Sequence, residues 1–532
     1  MTDKKKLKLK KFYFHPITVF VFLTIVVVIL SGILSAFEMQ ATYNTININT
    51  NELEPQLIAI ENLLSINGMK FILSNALKNF LVFTPLGFLL VSMIGISIAE
   101  SSGLIEVFSK KYIQKLPKGS LTFIVLLIAT ASSIINEVGY ALLIPLAALI
   151  YFIIGRNPIL GIITAFCGVA FGTGATLFIG SAEISLMDYT ANAAALIDEN
   201  IHIALSSNLI FIIVTTFILS IIGTIVIEKI IAPKIGKYKR EEEMAKTEQY
   251  SSAVIIEEEQ KRIEQEKNEK KGLRTALIIT IIYVLLVIYA LIPGLPGSGL
   301  LLDMEEKIYL TQVFGDNAYL KNGFTYIVSL YFILTGLGYG ISSKSIKNDK
   351  DLLKRTSEIF SKLGNIIMLM FVVSQFISVF KKTNIGIIIT SWLANLLSYI
   401  EISGIPLIIL TLLLIAISGL FLTSLSNKWY LFAPVVVPMF MQSNISPQFA
   451  QIVMRAGDSI TKGFTPLLAS FVLYIGYLNI YNPNKNRPIT IGSSLRLLLP
   501  YCLLISLTWM AILLLWYIIG LPLGPNVFPT IN

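Results

Sequence analysis

Residues 454–466 read Met-Arg-Ala-Gly-Asp-Ser-Ile-Thr-Lys-Gly-Phe-Thr-Pro, so Arg455, Asp458 and Lys462 stand inside a stretch whose flanks are apolar enough for a membrane. An ionisable side chain at bilayer depth costs about 3 kcal/mol on insertion scales, and it is found there facing a partner, a cavity or a solute path. Gly457, Gly463 and Pro466 interrupt the same stretch. A helix broken at membrane depth is tolerated only where the freed backbone groups line a polar cavity or are buried in protein. Charge and breakage together point to a polar site within a membrane fold, and so to transport.

The rest of the chain fits that fold. Its 532 residues are 55% hydrophobic and only 14% charged, and long apolar runs recur from residue 16 to residue 520. This composition predicts an all-α polytopic membrane protein. The first run follows Lys4, Lys5, Lys6, Lys8, Lys10 and Lys11 and has no small-residue cleavage site after it, so a retained first helix is expected. The net charge of +9 is spread over short loops, which makes it an orientation signal and not a nucleic-acid footprint. Cys167 and Cys502 lie in apolar sequence, and His15 and His202 have no metal-ligand spacing. Disulfide framework, zinc site and Cys/His catalysis are not expected, and no cofactor is expected beyond a coupling ion.

Basic residues set the orientation. There is no Lys or Arg between Lys11 and Lys70, whereas Glu38, Glu52, Glu54 and Glu61 occur there, so loop 39–68 is expected outside and the N-terminus in the cytoplasm. Lys110, Lys111, Lys115 and Lys118, and later Lys344, Lys347, Lys350, Lys354 and Arg355, mark cytoplasmic loops. Residues 296–321, with Asp303, Glu305, Glu306 and Asp316, read as external. The last span follows Lys485, Arg487 and Arg496, which places the C-terminus outside and makes the number of crossings odd. Residues 234–274 hold 11 Lys/Arg and 10 Asp/Glu in alternating blocks and read as a charged cytoplasmic linker between a first membrane half, 1–233, and a second, 275–532.

The two halves echo each other. Pro145, Pro158, Gly168, Gly174 and Thr176 recur, each shifted by 289 positions, as Pro434, Pro447, Gly457, Gly463 and Thr465, and Ser133-Ile-Ile-Asn136 parallels Ser424-Leu-Ser-Asn427. Paired, broken apolar segments in corresponding halves mark the binding site of a secondary transporter. Two re-entrant hairpins in an inverted repeat are therefore expected at about 158–190 and about 447–480. Their tips, Gly174-Ala175-Thr176 and Gly463-Phe464-Thr465, would offer hydroxyls, backbone donors and helix termini to an anionic solute or a cation. Close helix packing is the other use of such glycines.

Three tracts carry a family resemblance: Phe83-Thr-Pro-Leu-Gly-Phe-Leu-Leu-Val-Ser-Met-Ile-Gly-Ile-Ser-Ile-Ala-Glu100; Ser426-Asn-Lys-Trp-Tyr-Leu-Phe-Ala-Pro434 through Pro438-Met-Phe-Met441; and Arg455-Ala-Gly-Asp-Ser459 with Thr465-Pro466. Together they resemble the p-aminobenzoyl-glutamate transporter (AbgT) family over nearly the whole chain. The resemblance implies a homodimer in the bacterial inner membrane, each subunit with about nine transmembrane helices and the two hairpins. It also implies export of sulfonamides or movement of p-aminobenzoyl-glutamate, coupled to a proton or sodium gradient. The transport-critical positions it carries over are Ser426, Trp429, Pro447, Arg455, Asp458 and Pro466.

Their chemistry suits such solutes. Arg455 offers a planar fork to a carboxylate or sulfonyl group, or else pairs with Asp458 at i, i+3. Trp429 either stacks on an aminobenzoyl ring or packs in the core or at the membrane interface. Asp458 is a candidate proton carrier or an arginine partner. The chain departs from the family pattern where it has Thr176 and Gly419 in place of Asn, Glu183 in place of Asp and Lys462 in place of Asn. Amide oxygens able to bind a cation are thereby missing. Lys462, one turn from Asp458, either supplies the cation itself or snorkels to a water-filled mouth. Proton coupling through Asp458 or Glu183 is expected, with sodium coupling or exchange of another organic anion as the alternatives. An enzyme would need a nucleophile and base or a metal, a channel would need rings of like charge, and ATP drive would need a Walker motif; none of these patterns is visible.

Overall fold

The computed structural model describes residues 14–47, 50, 52–135, 137–236, 238 and 252–531. Asn136, part of the internal echo, and residues 237 and 239–251 of the charged linker lie outside the described residues.

Helices occupy the apolar runs. Among the described residues eight are long and apolar enough to cross a membrane, from Pro16–Ala36 to Ile491–Ile519, and five shorter apolar helices accompany them. Their outward faces carry large apolar side chains such as Phe22, Ile25 and Ile29 on the first helix and Leu285 and Leu286 on a later one. Exposed apolar surface on this scale marks a lipid-facing body. The membrane body is therefore helical, as the composition implies.

The loop 39–68 adds one element that the apolar pattern does not foretell. Strands Gln40–Asn47 and Glu52–Ala59 pair antiparallel, with Gln40 opposite Ala59 and Asn47 opposite Glu52. The ribbon rests on the helix Ile385–Ser398, where Trp392 Nε1 donates to Gln40 O at 3.3 Å and Asn395 Nδ2 to Thr42 O at 2.7 Å. These bonds satisfy strand carbonyls that a two-stranded ribbon leaves unpaired. The described part of the linker continues from Ser252 into the membrane as one helix, Ser252–Ala290, so the boundary at 274 falls inside a helix.

Both segments expected as hairpins are broken. The first comprises the helices Pro158–Phe171 and Ser181–Ala195, the second Pro447–Thr461 and Phe471–Ile480. Each opens with a cap followed by proline: Asn157 Oδ1 accepts from Ile159 N at 3.0 Å, and Ser446 Oγ accepts from Phe449 N at 3.3 Å. Such a start satisfies an orphan donor and presets the first helical φ.

A second kind of break lies beside each hairpin. Lys118–Ala131 passes through a 3₁₀ turn at Ser132–Ile135 before Val138–Ile153 begins, and Gly404–Gly419 stops before Leu425–Gln442. In each half both pieces pack on the first arm of their own hairpin. The second arms cross over: Ser181–Ala195 packs on Leu425–Gln442, and Phe471–Ile480 packs on Val138–Ile153. Each hairpin is thus gripped by both halves of the chain, and the polar tips are carried to one place in the core.

Candidate functional site

The first arm of the second hairpin is buried from Pro447 to Ile460 although it carries Arg455, Asp458, Gln448 and Gln451. Buried charge at this density demands partners. Arg455, 2% exposed, ion-pairs through Nη1 with Oε1 of Glu183 on the first hairpin, and its Nη2 donates to Thr173 O at 3.2 Å. Glu183 uses its other oxygen, Oε2, to accept from Gly180 N at 2.9 Å, which caps the second arm of the first hairpin. The two hairpins are therefore joined across their tips by a charge-assisted bridge. Ser459 Oγ lies 3.1 Å from Thr173 Oγ1 and reinforces the junction.

Asp458 faces the other way, toward a second pair of cations. Its Oδ1 accepts from Lys428 Nζ at 2.6 Å, and Lys462 Nζ stands 3.5 Å from its Oδ2. Lys428 is fully buried and Asp458 nearly so, while Lys462 retains 12% side-chain exposure. Three cations and two carboxylates thus meet between the tips, which leaves one positive charge in excess. Arg455 and Asp458 do not form the i, i+3 pair that their spacing allows, because each has a partner from another helix.

Glycine makes the approach of the hairpins feasible. A Cβ at Gly174 would lie 2.7 Å from Ser459 Oγ, 2.8 Å from Trp509 Cζ2 and 2.9 Å from Arg455 O; one at Gly463 would lie 2.6 Å from the Phe171 ring and 2.9 Å from Ala170 Cβ. Each tip glycine sits on the other hairpin's first arm, so the tips lie side by side. Each tip also latches to the helix break in its own half. Ser133 Oγ donates to Ala175 O at 2.9 Å, and Thr465 Oγ1 donates to Leu420 O at 2.8 Å.

The remaining expected residues fall in different places. Thr176 Oγ1 is buried in the first tip without a hydrogen-bond partner. Trp429 is wholly buried and donates its indole N–H to Thr190 Oγ1 at 2.9 Å, which in turn donates to Gln451 Oε1 at 2.8 Å. In this conformation its ring has no exposed face for stacking, and it positions the second arm of the first hairpin. Pro447 starts its helix eight residues before Arg455, about 12 Å along the axis, so the structure does not bring it to the charges. Ser426 is half-buried in the first turn of Leu425–Gln442, and Pro466 follows Thr465 in the second tip.

Two charged residues were missed by the sequence reading. Lys428 stands between Ser426 and Trp429, and its place in an apolar tract was signal enough under the rule applied to Arg455. Glu137 lies at the first helix break and accepts from Ser470 Oγ of the second hairpin at 3.0 Å. The shift that superposes Ser133 on Ser424 also superposes Glu137 on Lys428, so one comparison flags both.

With this geometry in place, comparison with known proteins is decisive. The model of the "AbgT putative transporter family" matches residues 10–531. The chain belongs to the AbgT transporter family. It is 29% identical over 519 residues to the p-aminobenzoyl-glutamate transport protein of Escherichia coli (strain K12), covering 97% of this chain and 95% of that one. Among solved structures it is similar to the Alcanivorax borkumensis YdaH transporter, with 28% identity, 96% of this chain and 100% of the other covered, and a TM-score of 0.47. It is similar also to Neisseria gonorrhoeae MtrF, described with a class of antimetabolite efflux pumps, with 30% identity, 97% and 98% coverage, and a TM-score of 0.47. As a member of the AbgT family the chain is a multi-pass membrane transporter. At Gly419, a Cβ would lie 3.1 Å from Lys428 Nζ and 2.6 Å from Thr461 Oγ1. The space next to a side chain at 419 is occupied here by an ammonium group.

Proposed function

We propose that this AbgT transporter is a proton-coupled secondary carrier that exports p-aminobenzoyl-glutamate-like or sulfonamide solutes across the bacterial inner membrane, working as a homodimer with its N-terminus in the cytoplasm and its C-terminus outside. The single observation that carries the reading is the buried charge cluster that joins two broken hairpins, one from each half of the chain. Broken helices with charge at their junction are the form that solute and ion sites take in secondary transporters. The halves, 1–233 and 275–532 with the linker 234–274 between them, act as an inverted repeat, and the crossover of the second hairpin arms supports that reading. The substrate class comes from the relative that transports p-aminobenzoyl-glutamate and from an excess positive charge that suits a carboxylate-bearing solute.

Protons are the coupling ion by charge argument. A sodium ion beside Asp458 would meet the ammonium groups of Lys428 and Lys462, and like charges repel strongly where the local dielectric is low. Glu183 and Asp458 are the carboxylates placed to carry a proton. The test is flux of p-aminobenzoyl-glutamate and of a sulfonamide in proteoliposomes under separately imposed proton, sodium and counter-substrate gradients. Proton-driven flux that is indifferent to sodium is expected. Sodium-driven flux that persists with the proton gradient collapsed contradicts the coupling assignment, and absence of flux for both solutes contradicts the substrate class.

A further inference from the structure

We propose that Lys462 is a partner-switching cation that leaves Asp458 to bind the carboxylate of the solute, while Lys428 stays behind and keeps Asp458 neutralised. The inference rests on the reading of the tip cluster as the transport site, and it assigns specificity for anionic solutes to one side chain.

Three features single out Lys462. Lys428 Nζ makes a 2.6 Å hydrogen bond with Asp458 Oδ1 and has no exposed surface, so it is fixed. Lys462 Nζ is 3.5 Å from Oδ2, and Oδ2 has no hydrogen-bond partner, so this contact is the looser of the two. Lys462 is also the cation of the cluster with the most exposed side chain. Arg455 is already engaged by Glu183 and by the Thr173 carbonyl.

The arrangement solves a problem of buried charge. Pulling the sole partner from a buried carboxylate leaves an uncompensated ion, which is strongly unfavourable. With two ammonium groups on one carboxylate, either can depart and a pair remains. The departing group must be mobile and must stay within reach of the site. Lys462 meets both needs, because it opens the 3₁₀ turn Lys462–Phe464 at the end of its helix and carries its charge on a flexible stem. The helix C-terminus behind it favours a cation at that place. An arriving carboxylate takes Lys462 as its counter-ion, and that one carboxylate offsets the single positive charge by which the ion-paired groups are in excess.

The experiment compares binding and counterflow of p-aminobenzoyl-glutamate with those of its dimethyl ester, using the purified full chain, for wild type, Lys462→Gln and Lys462→Arg. Correct folding is checked by size-exclusion profile. Wild type is expected to prefer the acid over the ester, Lys462→Gln to lower that preference at least tenfold, and Lys462→Arg to restore most of it. An unchanged preference in Lys462→Gln, or an equal loss for acid and ester, overturns the switching role while leaving the transport reading intact. A wild type that binds and moves neither compound overturns the substrate reading, and the switching role falls with it. A Lys462→Gln chain that fails to fold while Lys462→Arg folds and shows no preference for the acid also overturns the proposal.

Discussion

Arg455 and Glu183 are 272 residues apart, about half the chain, and each is nearly without exposed surface, so the energetic weight of their contact can be measured directly. Removing one member of a buried ion pair leaves its partner uncompensated at a cost of about 3–5 kcal/mol, whereas replacing both by apolar residues is often neutral. Arg455→Met is therefore expected to lower the thermal unfolding midpoint sharply, and Glu183→Met added to it is expected to recover part of the loss. A double variant that loses a further full increment would show that the pair does not interact. Transport should not recover, because the charged bridge between the hairpin tips is gone and Glu183, a proposed proton carrier, is lost with it. Reconstituted flux in Arg455→Ala and in Asp458→Ala is expected to fall below a tenth of wild type, as read on protein with an unaltered size-exclusion profile. The sequence alone revealed that Arg455, Asp458 and Lys462 are in costly positions, because charge among apolar residues is a local signal. The contact of Lys462 with Asp458 one turn away was legible, but the other partners were not, since Lys428 reaches Asp458 and Glu183 reaches Arg455 only through helix crossings that no local spacing encodes. The i, i+3 pairing of Arg455 with Asp458 was the nearest local option, and the crossings override it.

At the scale of elements, the account depends on two tips seated on each other's hairpins. Where a Cβ has no room, adding one should matter. Gly174→Ala and Gly463→Ala place a methyl group under 3 Å from Ser459, Trp509 or Phe171, and overpacking of this kind costs about 1–3 kcal/mol. Gly87→Ala, in the helix Thr84–Ser101 with nothing within 4 Å of the new methyl, is the comparison and should stabilise by about 0.5–1 kcal/mol. Thermal unfolding in detergent decides it, and equal midpoints for the Gly174 and Gly87 variants would contradict the tip packing. The positions of both hairpin breaks were legible, because glycine and the Asn157-Pro158 and Ser446-Pro447 starts are local stop and start signals. The ribbon at 40–59 was not. Its strands lie in a loop between apolar helices and are held by Trp392 and Asn395 from a helix over three hundred residues later.

For the whole molecule, the central claim is that the charge cluster joining the two hairpin tips is the transport site, which requires the tips to part if a solute is to reach it. Thr173 and Ser459 bridge that junction with their hydroxyl oxygens 3.1 Å apart, so cysteines at both positions would stand in reach of a disulfide. The native Cys167 and Cys502, both buried, are first replaced so that no other thiol remains. The measurement is flux of p-aminobenzoyl-glutamate in proteoliposomes carrying Thr173→Cys with Ser459→Cys, before and after reduction. The account predicts that the oxidised protein carries no flux and that reductant restores it. Flux of the oxidised, fully cross-linked protein equal to that of the reduced protein would contradict it.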